Sequence, residues 1–189
     1  IKRGFCQARW LDTTGNGFMI FTDFNSYEAS GFSPTFCIIG SGPAGISLAL
    51  QLEKQKIPCL IVEAGGFERS EEGQSNFKGK VIGDHYIDLE IARLRYFGGS
   101  SGHWSGWCRP LDEVDFEARN GVKNSGWPIR KKDLDPYTIK TNSILEINAF
   151  PPNKPLNDNL EEIYFRFSAP VRFGNKYRKK KKKSPLISL

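Results

Sequence analysis

With 189 residues, 39% of them hydrophobic and 13% aromatic, the chain has the size and apolar content of one ordinary domain, which excludes an intrinsically disordered protein. The formal charge of +6 sits at one end: Arg178 to Lys183 carry six positive charges, and the rest of the chain sets 21 basic against 21 acidic residues. No aromatic residue interleaves with that run to stack on bases, so no nucleic-acid partner is expected, and residues 178–189 read as a solvated, disordered basic tail.

No apolar run approaches the length of a membrane span and the N-terminus shows no signal-peptide core, so the sequence predicts a cytoplasmic protein. Cys6, Cys37, Cys59 and Cys108 have neither C-x-x-C spacing nor a nearby histidine pair. Reduced thiols are expected, with no metal site and no redox dithiol.

Residues 1–33 read as an N-terminal lead without a clear period. Met19, the only methionine, is the expected translation start, which would make residues 1–18 upstream translation or a mobile arm; Phe24, Tyr27 and Phe32 then lead into the first strand. That strand is predicted over 35–39, apolar on consecutive positions as in a parallel strand covered on both faces.

Gly40, Gly42 and Gly45 follow, with Ser41, Pro43 and Ala44 between them, in the pattern G-x-G-x-x-G. The first glycine suits a tight turn, the second lets main chain approach a pyrophosphate, and the third lets a helix pack close to the strand. The helix is predicted over 43–54. Its first N–H groups and the positive end of its dipole favour a diphosphate over the turn, and Pro43 costs little at that position. Gly45 and Ala49 keep the helix near the sheet, with Leu48 and Leu52 as bulk. Lys56 stands where such a motif often has glycine.

A second strand over 60–62 ends in Glu63, 18 residues beyond Gly45, followed by Ala64. A carboxylate there accepts hydrogen bonds from both hydroxyls of an adenosine ribose. The alternative reading of Glu63 is a solvated strand end. Ala64, Gly65 and Gly66 leave the strand, and 68–76 reads as exposed loop.

A helix is predicted over 88–96. It runs into LRYFGGSSGHWSGWCRP, residues 94–110, where Gly98, Gly99, Gly102 and Gly106 let main chain lie flat against a ligand. Ser100, Ser101 and Ser105 offer hydroxyls, and Trp104 and Trp107 offer apolar faces. This mixture suits a planar aromatic cofactor. Taken alone, His103 reads first as a hydrogen-bonding residue of the loop and second as a reactive group. Farther on, Asp112, Asp115 and Glu117 are spaced as a polar turn, Trp127 and Pro128 anchor a loop, and 133–137 starts a helix. Pro151, Pro152 and Pro155 mark a loop, and a short helix is predicted over 157–165.

Together these motifs resemble the N-terminal part of a flavoprotein of the glucose-methanol-choline oxidoreductase family, over roughly 36–177. CIIGSGPAGISLALQLEKQKIPCLIVEAGG is similar to its adenine-dinucleotide motif, FGGSSGHWSGWCRP to its second glycine-rich signature, and SGWPIRKKDLDPY to the connector of sugar-oxidising, pyranose-oxidase-like members. The resemblance implies an α/β fold with a Rossmann-like βαβ FAD-binding domain over 34–150 and the start of a further segment over 151–177. It implies FAD as cofactor, Gly40 to Gly45 on its diphosphate, Glu63 on its ribose, and Gly98 to Ser101 beside diphosphate and flavin. His103 falls where pyranose-oxidase-like members bind FAD covalently. The substrate of the whole protein would be a small alcohol or sugar, oxidised by hydride transfer to flavin. The family's proton-accepting histidine lies in a C-terminal substrate domain to which no position here corresponds. The chain is therefore expected to be a fragment, and the lysine run followed by SPLISL to mark a reading-frame slip. Two other readings stay open: an NAD-dependent dehydrogenase using the same cradle, and a truncated, non-catalytic product.

Overall fold

The computed structural model describes residues 21, 23–158, 160–169 and 172–179. Met19, the segment before it and most of the lysine run lie outside the described residues. The chain mixes helices with short strands and divides into two compact units: residues up to 104 together with those from 170, and residues 105–169.

In the first unit a six-residue helix, α1 (Phe24–Ala29), is capped by Asp23, whose side chain accepts from the Ser26 N–H at 2.8 Å. Strand β1 (Phe36–Ile39), helix α2 (Pro43–Lys54) and strand β2 (Cys59–Val62) then form a β-α-β unit. The two strands are parallel, with Phe36 opposite Cys59 and Ile39 opposite Val62. The predicted helix agrees with α2 in both bounds, and Gly42 is its N-cap with Pro43 in the first turn. At the other end Lys56 takes a left-handed conformation, φ +56°. A residue with a Cβ there costs about 1–2 kcal/mol, the penalty that glycine would remove.

Alternation along β2 explains the packing. Cys59 and Ile61 point into a cluster with Ile38, Ala49 and Leu52, under α2. Leu60 and Val62 point the other way, into a cluster with Phe21, Tyr27 and Phe32. Burial of each large aliphatic side chain contributes about 1.5–3 kcal/mol. Strand β2 is thus covered on both faces, as expected of a parallel strand, but β1 is not. Among its residues only Ile38 is buried; Phe36, Cys37 and Ile39 are exposed. Leu48, expected to supply bulk beside Leu52, is also half exposed.

The segment expected as plain loop contains helix α3 (Glu71–Ser75), because the Ser70 side chain caps the Gly73 N–H at 3.0 Å and two glutamates fill the first turn. The helix predicted over 88–96 is a single turn, α4 (Leu89–Ala92). It stops because side chains take over its backbone groups. The buried Gln74 amide donates to the carbonyls of Glu90 and Arg93, and the N–H groups of Leu94 and Arg95 donate to Ser100 Oγ and Gln74 Oε1. The chain leaves α4 with Arg93 in extended backbone and then passes Gly65, whose missing Cβ would lie 2.1 Å from the Arg95 carbonyl oxygen. A 3-10 turn over Gly99–Gly102 follows.

The second unit opens with strand β3 (Trp107–Cys108) and a 3-10 turn, Glu113–Asp115, capped by Asp112. That segment is the polar turn expected from the sequence. Helix α5 (Lys131–Leu134) passes through a 3-10 turn, Asp135–Tyr137, into helix α6 (Thr138–Leu145). The short helix expected over 157–165 is absent. In its place β4 (Lys154–Asn157) and β5 (Leu160–Glu162) form an antiparallel pair, with Asn157 opposite Leu160 and Asp158 in the turn between them. Strand β6 (Arg166–Phe167) pairs antiparallel with β3.

The chain returns to the first unit as helix α7 (Arg172–Lys179), which takes in the first residues of the expected basic tail. Phe173 and Tyr177 are buried. Arg178 pairs with Glu68 and lies 5.3 Å from the centre of the Phe67 ring. No helix of the described residues is long and apolar enough to cross a membrane.

Candidate functional site

The G-x-G-x-x-G turn joins β1 to α2, and each glycine meets a different constraint. Gly40 adopts φ +96°, a conformation that side chains rarely take, and its N–H donates to the Val62 carbonyl at 2.8 Å. A Cβ on Gly45 would lie 2.0 Å from the Gly40 carbonyl oxygen and 3.3 Å from Ile38 Cγ2, so only glycine lets α2 sit this close to β1. A Cβ on Gly42 would meet nothing within 4 Å. Space is therefore open directly over the second glycine.

The N–H of Ile46 donates to the Gly42 carbonyl and begins the helical ladder. The N–H groups of Gly42, Ala44 and Gly45 have no acceptor among the described residues. These orphan donors, with the positive end of a 12-residue helix, face the open side of the turn. An anion is favoured there, and a diphosphate supplies enough acceptor oxygens for all three.

Ser41 and Glu63 are buried, and the carboxylate ties the glycine turn to the residues that follow β2. One oxygen, Oε2, accepts from the Ser41 N–H at 2.8 Å and from the Ser41 hydroxyl at 2.6 Å; Oε1 accepts from the Gly65 N–H at 2.9 Å. Glu63 is 7% exposed, which overturns its alternative reading as a solvated strand end. Its carboxylate has about four lone-pair directions, and three are used inside the protein. Ala64, next along the chain, is exposed.

The second glycine-rich segment comes to the same place. The Gly98 N–H donates to the Ser41 carbonyl at 3.1 Å and approaches its hydroxyl at 3.3 Å. A Cβ on Gly99 would touch Gly42 Cα at 3.4 Å. Motifs nearly sixty residues apart in sequence thus share one junction. Gly98 holds φ +97°, and a Cβ there would lie 2.4 Å from the Gly174 main-chain nitrogen, so α7 backs the junction.

Two of the three loop serines are used internally. Ser101 is buried and its hydroxyl donates to the Gly98 carbonyl at 2.6 Å; Ser100 Oγ accepts from Leu94. His103 is exposed, with Nδ1 2.9 Å from the Ser100 carbonyl and Nε2 2.9 Å from the Ile91 carbonyl. A neutral imidazole donates from one nitrogen only. For the other to form a bond to carbon, the contact it now makes would have to open. The Trp104 indole N–H is buried with no acceptor among the described residues. Such an orphan donor is uncommon in a folded protein and is consistent with a group that completes the site when bound.

Sequence reasoning missed the Ser41–Glu63 bond and the part played by Gln74. The spacing of Ser41 from Glu63 follows no short motif, and a glutamine in a polar run gives no signal of burial. No cluster of three or more His, Cys, Asp or Glu residues able to hold a metal ion occurs among the described residues. Of the cysteines within them, Cys59 is buried, Cys108 is partly buried and Cys37 is exposed. No protein-family model, no curated protein and no solved structure matches the chain.

Proposed function

We propose that this chain is the FAD-binding portion of a flavin-dependent oxidoreductase acting on an alcohol or sugar CH–OH group, with the β1-α2-β2 unit as the start of a Rossmann-like domain. One observation carries the reading: the two glycine-rich segments meet at the Ser41–Gly98 junction, directly beside the free N–H groups of α2. A lone G-x-G-x-x-G is weak support for any cofactor. A second glycine loop placed against it favours a long cofactor, one that reaches from the helix end past Gly98 and Gly99.

Gly42, Ala44 and Gly45 would hold the diphosphate through main-chain N–H groups. Glu63 would keep its three internal bonds and offer its remaining lone pair to the ribose. Gly98, Gly99, Ser100 and Ser101 would line the path toward the flavin, with His103 and Trp104 at its far end. Bound flavin supplies the hydride acceptor. The work of this chain's residues is to bind and orient it; Gly99, packed on Gly42, fixes how the second loop sits over the cradle. His103 as a point of covalent attachment is part of the proposal and requires that its contact with Ser100 or Ile91 open.

The test is a spectrum and a melting curve. Purified protein should show flavin absorbance or, if isolated without cofactor, a melting temperature that rises with added FAD and not with NAD. A rise with NAD alone would favour the dehydrogenase reading, and no response to either would sink the cradle assignment. Acid precipitation reports separately on His103: flavin left wholly in the supernatant rules out the covalent bond.

A further inference from the structure

The second unit contains a cleft that the flavin reading does not use. It has two adjoining lobes of about 290 and 390 Å³, which share Arg109, Pro110, Leu111, Asn142 and Phe150 in their linings. Small-molecule sites run from about 300 to 1,000 Å³, so the cleft suits a compact ligand. All its lining residues belong to 105–169, and the inference stands whether or not the first unit binds FAD.

Charge decides what the cleft excludes. Arg109 projects two nitrogens onto both carboxylate oxygens of Asp112, and Lys131 Nζ lies 2.7 Å from Asp135. Each cation in the lining is already matched by an anion beside it, so neither an anionic nor a cationic ligand finds an unpaired counter-charge. The remaining walls are largely apolar, with Phe116, Leu134, Leu145 and Ile147 in the smaller lobe.

One polar side chain in this lining makes no hydrogen bond of its own. Asn142 is 9% exposed and lines both lobes. Its main-chain carbonyl accepts from Glu146 and Ile147, as expected near the end of α6. Its side-chain carboxamide makes no hydrogen bond among the described residues. The nitrogen and oxygen of this carboxamide are not among the sealed, unpartnered polar atoms of the described residues, so they open onto the cleft, where a ligand can meet them. The side chain offers one acceptor oxygen and an NH₂ donor side by side. A ligand that satisfies both carries a donor and an acceptor on one edge, and another carboxamide or a lactam has that arrangement.

We propose that the cleft around Asn142 binds a neutral small molecule with an apolar ring and a carboxamide edge. The ring packs among Phe116, Leu134 and Leu145, and the amide pairs with the Asn142 side chain.

Benzamide is the probe, titrated into the full 189-residue chain and followed by the NH₂ resonances of Asn142, assigned through their loss in Asn142→Asp. Saturable shifts of that pair are expected, with acetophenone, which lacks the donor, and benzoate, which is charged, each binding about tenfold more weakly. Asn142→Leu, followed by the backbone amide resonances of Leu134 and Leu145, should keep the fold and lose the selectivity for benzamide over acetophenone. Leu134→Trp, at an exposed position on the rim, should fill the smaller lobe and abolish the shifts while leaving Asn142 intact. No saturable shift, benzoate binding as tightly as benzamide, or unchanged benzamide affinity in either variant overturns the proposal.

Discussion

Ser41 donates twice to a single oxygen of Glu63, once from its main-chain N–H and once from its hydroxyl, and so ties the glycine turn after β1 to the end of β2. The pair is buried, and the Ser41 carbonyl receives the Gly98 N–H at the same time. The junction therefore fixes three things together: the turn, the strand end and the second glycine loop. A cofactor cradle requires that kind of rigidity before any ligand arrives.

Glu63→Gln should destabilise the first unit by about 1–3 kcal/mol. The amide keeps one acceptor oxygen but turns an NH₂ donor toward donors of Ser41 or Gly65, which leaves a buried group unsatisfied. Ser41→Ala should cost less, about 1 kcal/mol, because the main-chain bond to Glu63 and the Gly98 bond to the Ser41 carbonyl both survive. Urea unfolding of the two variants beside the parent checks the order. Equal effects would mean that the hydroxyl carries the junction.

Gly45→Ala separates packing from propensity. In an open helix the change is favourable by nearly 1 kcal/mol. Here the new methyl would stand 2.0 Å from the Gly40 carbonyl oxygen, a main-chain atom that cannot rotate away. Strain of about 1–3 kcal/mol is expected to exceed the gain, and the midpoint of urea unfolding should fall. A midpoint at or above the parent's would show that α2 can move off β1 without loss.

The parts of this fold that were legible in the sequence are those dictated by local backbone demands. The glycine spacing predicted the turn and the start of α2, because an N-cap and a positive φ leave few residue choices. The apolar runs predicted two adjacent strands, but their pattern did not reveal that β1 would bury only Ile38. The misread segments were decided by side chains reaching across sequence. Gln74 ended α4 by capturing carbonyls 16 and 19 residues away, and no window of local propensity contains that bond. The 157–165 segment was misread because Asn157 and Asp158, favourable near a helix start, serve here at the end of a strand and in the turn after it. The candidate site divides the same way: Gly40, Gly42, Gly45 and Glu63 were visible as a motif, and the contact of Gly99 with Gly42 was not.

Tyr96 should ionise late. Its pKa is raised above the ordinary value of 10.0, chiefly by burial and secondarily by the negative charge of Glu68. A phenol whose folded pKa is raised holds its proton more tightly in the folded state. Its stabilisation is thus complete below the unfolded pKa and is lost as pH rises through the folded one. Alkaline titration followed by phenolate absorbance should show a late component that Tyr96→Phe removes and Glu68→Gln shifts to lower pH. Tyr164, raised mainly by its hydrogen bond to Glu162, provides the second late component and should be unaffected by either change. An alkaline titration unchanged by Tyr96→Phe in its late part would contradict the rise.

Gly42→Ala distinguishes the flavin reading from a purely structural role for the glycine turn. Gly42 has φ −70°, a value any residue adopts, and its Cβ would meet nothing within 4 Å. Folding alone therefore gives no reason for glycine at this position. Replacing glycine where the backbone is already compatible should leave stability unchanged or raise it by about 0.4–1 kcal/mol, through a less disordered unfolded chain. A methyl group there would nevertheless occupy the space in which a diphosphate approaches the N–H groups of Gly42, Ala44 and Gly45. The variant should melt no lower than the parent and yet show a smaller FAD-dependent rise in melting temperature. If the parent responds to FAD and the variant responds equally, the diphosphate does not sit over Gly42; if the variant melts well below the parent, the open space beside this glycine is closed in solution.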